Sequence, residues 1–199
     1  MLLERYPESI NMRDGNGLLP IHSASMWHDR NEIIEFLLKK DPNCLSKTVP
    51  VDNRRDGGRL PLHLACDVWH TLNSNKVRLL FNLYPEAIMK PDDSGKLLLD
   101  IVRNSIESGG RYGTEPLEGG ERTEAVNTVA FLQTQMNYAH KAEDREAMTV
   151  PDSEGMLPLH RAISSGACLG AVKLLVKGNP NAIRTADLRG NLPIHLASK

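Results

Sequence analysis

Histidine is the residue type in this 199-residue chain best suited to chemistry, because imidazole binds metal ions and exchanges protons near neutral pH. Four of the seven histidines stand in one phrase: Leu19-Pro20-Ile21-His22, Leu60-Pro61-Leu62-His63, Leu157-Pro158-Leu159-His160 and Leu192-Pro193-Ile194-His195. Ligands of one metal ion must all lie within about 2–2.3 Å of it. These four recur as parts of repeated units, which places them in a ladder, one unit apart, too far to share an ion. Their expected role is structural. His28, His70 and His140 remain, and no His-Glu-x-x-His, Ser–His–Asp, phosphate-loop or dinucleotide pattern accompanies them. The thiols Cys44, Cys66 and Cys168 are odd in number and form no Cys-x-x-Cys pair, so they read as reduced, small, half-buried side chains. Asp92-Asp93 and the Asp152/Glu154 pair read as turn acids rather than a carboxylate dyad or a calcium loop. The residues predict no enzyme, no cofactor and no metal.

The elements that position these histidines are written as repeats. An Ala follows each motif His by two (Ala24, Ala65, Ala162, Ala197), and a Gly precedes each motif Pro by three (Gly17, Gly58, Gly155, Gly190). A degenerate copy, Leu97-Leu98-Leu99-Asp100, follows Gly95. A second phrase recurs between copies: Tyr6-Pro7-Glu8-Ser9-Ile10, Asp41-Pro42-Asn43-Cys44-Leu45, Tyr84-Pro85-Glu86-Ala87-Ile88 and Asn179-Pro180-Asn181-Ala182-Ile183. Pro158 to Pro193 and Pro7 to Pro42 both span 35 residues. Each unit contains an Asp-x-x-Gly turn, then a short helix opened by Pro, then a longer amphipathic helix. The longer helices read at Asn31–Leu38, Lys76–Phe81 and Gly170–Val176, with Ile33, Ile34, Leu37 and Leu38 as the apolar stripe of the first. No stretch alternates with period two, so the expected fold class is all-α.

These phrases resemble the ankyrin repeat, whose family pattern is Thr-Pro-Leu-His-x-Ala in a unit of two antiparallel helices and a projecting turn. The resemblance covers nearly the whole chain. It implies a solenoid of stacked helix-turn-helix units in one array over 1–199: a half unit 1–13, repeats 14–50 and 51–90, a degenerate repeat 91–150, a repeat 151–185 and a half unit 186–199. Pro20, His22, Pro61, His63, Pro158, His160, Pro193 and His195 are then motif residues, with Asp100 in the degenerate copy. The chain departs from the family in several ways. Leu replaces the Thr before every motif Pro, which removes a hydroxyl expected to bond the His ring. Asp100 replaces a His, and its burial without a donor would cost about 1–3 kcal/mol, so this repeat should be the weak link or contain a compensating partner. The turn before Gly58 is enlarged, and an insertion read as a flexible loop at about 103–122 carries Gly109-Gly110, Gly113 and Gly119-Gly120. Helical patterning resumes after Thr123 as N-cap, with Val126, Val129, Phe131 and Leu132 on the buried face. That helix should be about two turns longer than its counterparts.

Composition narrows the function classes. Hydrophobic residues make up 40%, charged 25% and aromatic 5%, with a net charge of −1 and both signs mixed along the chain. No basic stripe points to nucleic acid, no apolar run is long enough to enter a membrane, and no secretory leader is written at the N-terminus. An intracellular site, cytoplasmic or nuclear, is expected. The resemblance implies a non-catalytic protein-protein interaction scaffold that binds its partner along a concave face of turn tips and first helices. Its candidate contacts by position are Asn16, Leu18, Met26, Trp27, Arg59, Asp67, Val68, Lys96, Met156, Ser164 and Ser165. Trp27 and Trp69 are either interface anchors or packing at the inter-helix corner. The alternative is a targeting or regulatory module of a larger enzyme, receptor or channel, since neither end reads as a polar capping repeat. A capped array would be monomeric, and an open C-terminal end would self-associate.

Overall fold

The computed structural model describes residues 5–27, 31–50, 56–67, 72–108 and 117–197. Among them every regular element is helical and no strand occurs, which bears out the all-α expectation. The chain divides into two compact units, residues 1–132 and 133–199.

In the first unit each leucine–proline phrase opens a short helix: α1 (Pro20–Met26) and α3 (Pro61–Cys66). Proline fits there because the first-turn N–H has no intrahelical partner. Longer helices α2 (Asn31–Lys40) and α4 (Ser74–Leu83) pack on them, and α1, α3 and α5 (Leu98–Ser108) pack side by side in sequence. Short 3-10 turns at Pro7–Asn11, Cys44–Ser46 and Pro85–Met89 carry the second phrase. In α2, Ile34 and Leu37 are buried, whereas Ile33 turns out to water at 40% exposure. Leu62 is buried as its phrase position suggests, and Ala65 is half-buried.

The expected loop is shorter than its Gly-rich sequence suggests. Leu99, Val102 and Ser105 are buried at helical spacing, so α5 runs on to Ser108, and the next helix α6 (Gly119–Glu143) already opens at Gly119. Of 103–122, only the stretch 109–118 lies between helices, and 109–116 lies outside the described residues. Thr123 is not an N-cap but an interior residue whose hydroxyl donates to the Gly119 carbonyl at 3.1 Å. The buried face of α6 in this unit is Ala125, Thr128, Phe131 and Leu132, and Val126 is 48% exposed. At 25 residues against ten for α2 or α4, α6 exceeds the expected extra length by about two turns. Phe131 meets Phe81 of α4 edge-on, centroids 5.8 Å apart, and the Arg78 guanidinium lies 4.2 Å over the Phe131 ring.

The second unit holds the remainder of α6, then α7 (Pro158–Ser164), α8 (Leu169–Gly178), a 3-10 turn at Pro180–Arg184 and α9 (Pro193–Leu196). Met148, Leu157, Leu159, Ala162, Leu175 and Ala182 form its core. Gly178 permits a close crossing there: a Cβ would stand 2.5 Å from the Ala142 carbonyl oxygen of α6.

Candidate partner-binding surface

The turns are built from one aspartate each. The Asp14 carboxylate accepts the Asn16 and Leu18 amides at 2.9 Å, and Asp92 accepts those of Ser94 and Lys96 at 2.9 and 3.0 Å. In the second unit Asp152 accepts Glu154 and Met156, and Asp187 accepts Arg189 and Asn191, all within 3.0 Å. Neighbouring turns are joined through the main chain as well as by the Arg59–Asp92 and Arg189–Glu154 ion pairs. The Asp93 amide donates to the Gly57 carbonyl in the first unit, and the Leu188 amide to the Glu154 carbonyl in the second, both at 3.1 Å. Gly58 makes the first joint possible, since its φ is +72° and a Cβ would stand 2.6 Å from the Asp93 nitrogen.

Beyond each turn, a histidine braces the start of the short helix. Leu19, Leu60, Leu157 and Leu192 each donate their amide to Nδ1 of the phrase histidine at 3.0–3.2 Å. The preceding leucine amide, rather than a side-chain hydroxyl, is thus the partner of each ring. Since Nδ1 accepts, Nε2 carries the proton, and it donates to the Lys47 carbonyl from His22 and to the Lys90 carbonyl from His63, both at 2.9 Å. Burial pushes both imidazoles down to a pKa of about 4, against the pull of those carbonyl bonds. His160 is equally buried, with no partner at Nε2, and His195 is exposed. Asp100 is exposed rather than buried and has a compensating partner: its carboxylate takes the Leu97 amide at 3.0 Å, as a histidine Nδ1 would.

The candidate contact residues separate into two kinds. Asn16, Trp27 and Lys96 are exposed, Trp27 at 50%. Leu18 is not on the surface: it is 7% exposed and packs with Val49 and Leu64, and Met26 lies half-buried against that cluster. Arg59 and Asp67 are braces rather than free charges. Only 12% of the Arg59 side chain is exposed, and it bonds Asp67 at 2.5 Å, Asp92 at 3.3 Å and Asp56 at 3.4 Å. Val68 and Trp69 lie outside the described residues. In the second unit Ser164 and Ser165 are exposed, with their hydroxyls donating to the Arg161 and Ala162 carbonyls, and Met156 is half-buried. Arg161 there holds Asp152 at 2.6 Å and Glu154 at 2.7 Å.

Sequence reasoning missed Lys76. It is 3% exposed, and its ammonium donates to the Ala24 carbonyl at 3.4 Å and to that of Trp27, where α1 ends. A lysine on an amphipathic helix ordinarily reads as solvated, so no local signal marks it. Asp92 is legible as a turn acid, but its approach to Arg59 depends on how one turn lies against the next.

The thiols are placed for packing. Cys44 and Cys66 are buried deeper than expected and Cys168 partly; burial raises Cys44 to about 11 and Cys66 still further. Among the described residues no group of three or more His, Cys, Asp or Glu is gathered to hold a metal ion. No helix there is long and apolar enough to cross a membrane. No protein-family model matches the sequence, and no curated protein matches it.

Proposed function

We propose that this chain is an ankyrin-type array of helical repeats and acts as a non-catalytic scaffold that binds a protein partner. The observation that carries the reading is one local construction recurring in register. An aspartate-braced turn with a left-handed glycine leads into a helix, opened by proline or in one copy by Leu98, whose His or Asp takes the preceding leucine amide. Repeats of this kind bury their apolar faces on one another and leave an extended row of turn tips and helix ends to a partner. In the first unit the partner meets Asn16, Lys96 and Trp27, and the exposed indole supplies the largest apolar contact. In the second unit it meets Ser164 and Ser165. Arg59 and Asp67 act indirectly, holding the turns.

Peptide ligands selected from a randomised library against the full chain provide the test. Trp27→Ala and Lys96→Glu should each weaken such ligands about tenfold or more, at an unchanged melting temperature. Ligands indifferent to both substitutions would overturn the assignment of this face.

A further inference from the structure

Three places in the chain set a carbonyl carbon at Cγ directly before a glycine: Asp14-Gly15, Asn16-Gly17 and Asp56-Gly57. At such a pair the next main-chain nitrogen can reach Cγ and close a five-membered ring, an attack that proximity makes effectively unimolecular. Glycine favours it by bringing no Cβ to shield its nitrogen. The structure separates the three pairs. The Asp14 carboxylate accepts the Asn16 and Leu18 amides at 2.9 Å. Asp56 is 2% exposed, with the Arg59 guanidinium 3.4 Å from its carboxylate. Both aspartates are held by donors. Asn16 is exposed, and its side chain ends in an amide, whose nitrogen can leave as ammonia. No other asparagine precedes a glycine. The two that precede serine stand in helical surroundings: the Asn73 side chain holds the Lys76 amide at 3.0 Å where α4 begins, and Asn104 lies inside α5.

One contact opposes the attack: the Gly17 amide donates to the Asp14 carbonyl at 2.9 Å across the turn. Releasing a single exposed hydrogen bond slows the reaction only about two- to twelvefold. The fold also keeps the vulnerable neighbour in place, since Gly17 has a φ of +76°. We propose that Asn16 is a site of spontaneous covalent modification, at which the tip of the first turn converts from amide to carboxylate as the molecule ages. The Gly17 nitrogen gives its proton to solvent and bonds Asn16 Cγ, while the Cγ–Nδ2 bond breaks and Nδ2 departs as ammonia. Water then opens the ring. Hydrolysis at Cγ yields aspartate; hydrolysis at the main-chain carbonyl yields isoaspartate, whose main chain runs through the former side chain. Water is the only co-reactant. Isoaspartate adds a methylene to the main chain between residues 16 and 17. The Asp14 carboxylate bonds amides on either side of that insertion, and Arg13 donates to the Gly17 carbonyl at 2.7 Å, so the turn loses its register.

The full chain can be held at neutral pH and body temperature and sampled over time by peptide mapping with mass spectrometry. Asn16 should convert at least about tenfold faster than any other asparagine, with ammonia released in step and both aspartate and isoaspartate found at 16. The rate should rise with pH, because the attacking nitrogen must lose its proton. A short peptide covering 11–21, free of the fold, should convert no more than about twelvefold faster than the full chain. Asn16→Gln, which would need a six-membered ring, should stay intact at that position. An Asn16 that persists in the folded chain while the peptide converts, or another asparagine that converts first, would overturn the proposal.

Discussion

Lowering the pH from 7 to 5 should weaken this fold through His22 and His63 before any carboxylate contributes. Both imidazoles are neutral, with Nδ1 accepting a leucine amide and Nε2–H donating to a carbonyl; their pKa is about 4 in the fold against an ordinary 6.5. The native state therefore binds fewer protons than the unfolded chain between these values. Stability is full above 6.5, falls as the pH drops towards 4, and levels off below it. Each histidine should cost about 2 kcal/mol by pH 5, and about 3.4 kcal/mol once the pH is well below 4. Two such sites remove about 4 kcal/mol at pH 5, a large share of the 5–15 kcal/mol typical of a domain. Carboxylates act in a lower window: Asp41 is held below its ordinary value by the Lys47 ammonium at 2.5 Å, and its contribution fades only under about pH 4. Urea melts at pH 7, 6 and 5 and constant ionic strength read the effect. His63→Gln keeps a donor for the Lys90 carbonyl but cannot titrate, so it should shrink the loss between pH 7 and 5 by about 2 kcal/mol. A flat profile in the wild-type chain, or an equal slope in the variant, would refute the reasoning.

Replacing Lys76 with Met keeps most of its volume but strips the donor from the carbonyls where α1 ends; chemical denaturation should show a loss of about 1–3 kcal/mol. Arg59→Met removes the guanidinium that bonds Asp56, Asp67 and Asp92 and should cost about 3 kcal/mol, an effect that lessens when Asp67→Asn is added. Gly58→Ala and Gly95→Ala share the strain of a positive φ, about 1 kcal/mol, but only the former drives a Cβ into the Asp93 backbone. Thermal melts should therefore rank Gly58→Ala clearly below Gly95→Ala.

Features whose chemistry is local are legible in the sequence. An aspartate that accepts amides two and four residues on, a glycine that closes the turn and a proline that opens a helix depend on neighbours in the chain. The turns at Asp14, Asp92, Asp152 and Asp187 form at their written places for that reason. Side-chain direction depends on residues far away. Leu18 reads as a surface residue by its place after a turn, yet Val49 and Leu64 enclose it. Arg59 reads as a free charge, but the next turn brings Asp92 to it. The insertion misleads in the same way: its glycines suggest a loop that opens at about 103, while the buried Val102 and Ser105 belong to α5, which runs on to Ser108.

The joints between turns have a consequence for how this molecule can vary. Asn16, Ser94 and Glu154 bond their turn aspartates through the amide, a group every amino acid but proline carries. The link from one turn to the next, Asp93 to Gly57 or Leu188 to Glu154, is likewise amide to carbonyl. Side-chain identity at a tip such as Ser94 is thus decoupled from the joinery beneath, whereas the Glu154 carboxylate also meets Arg161 and Arg189. Such positions form an alphabet that can be rewritten, by mutation or by design, while the Asp and Gly on either side hold the page still.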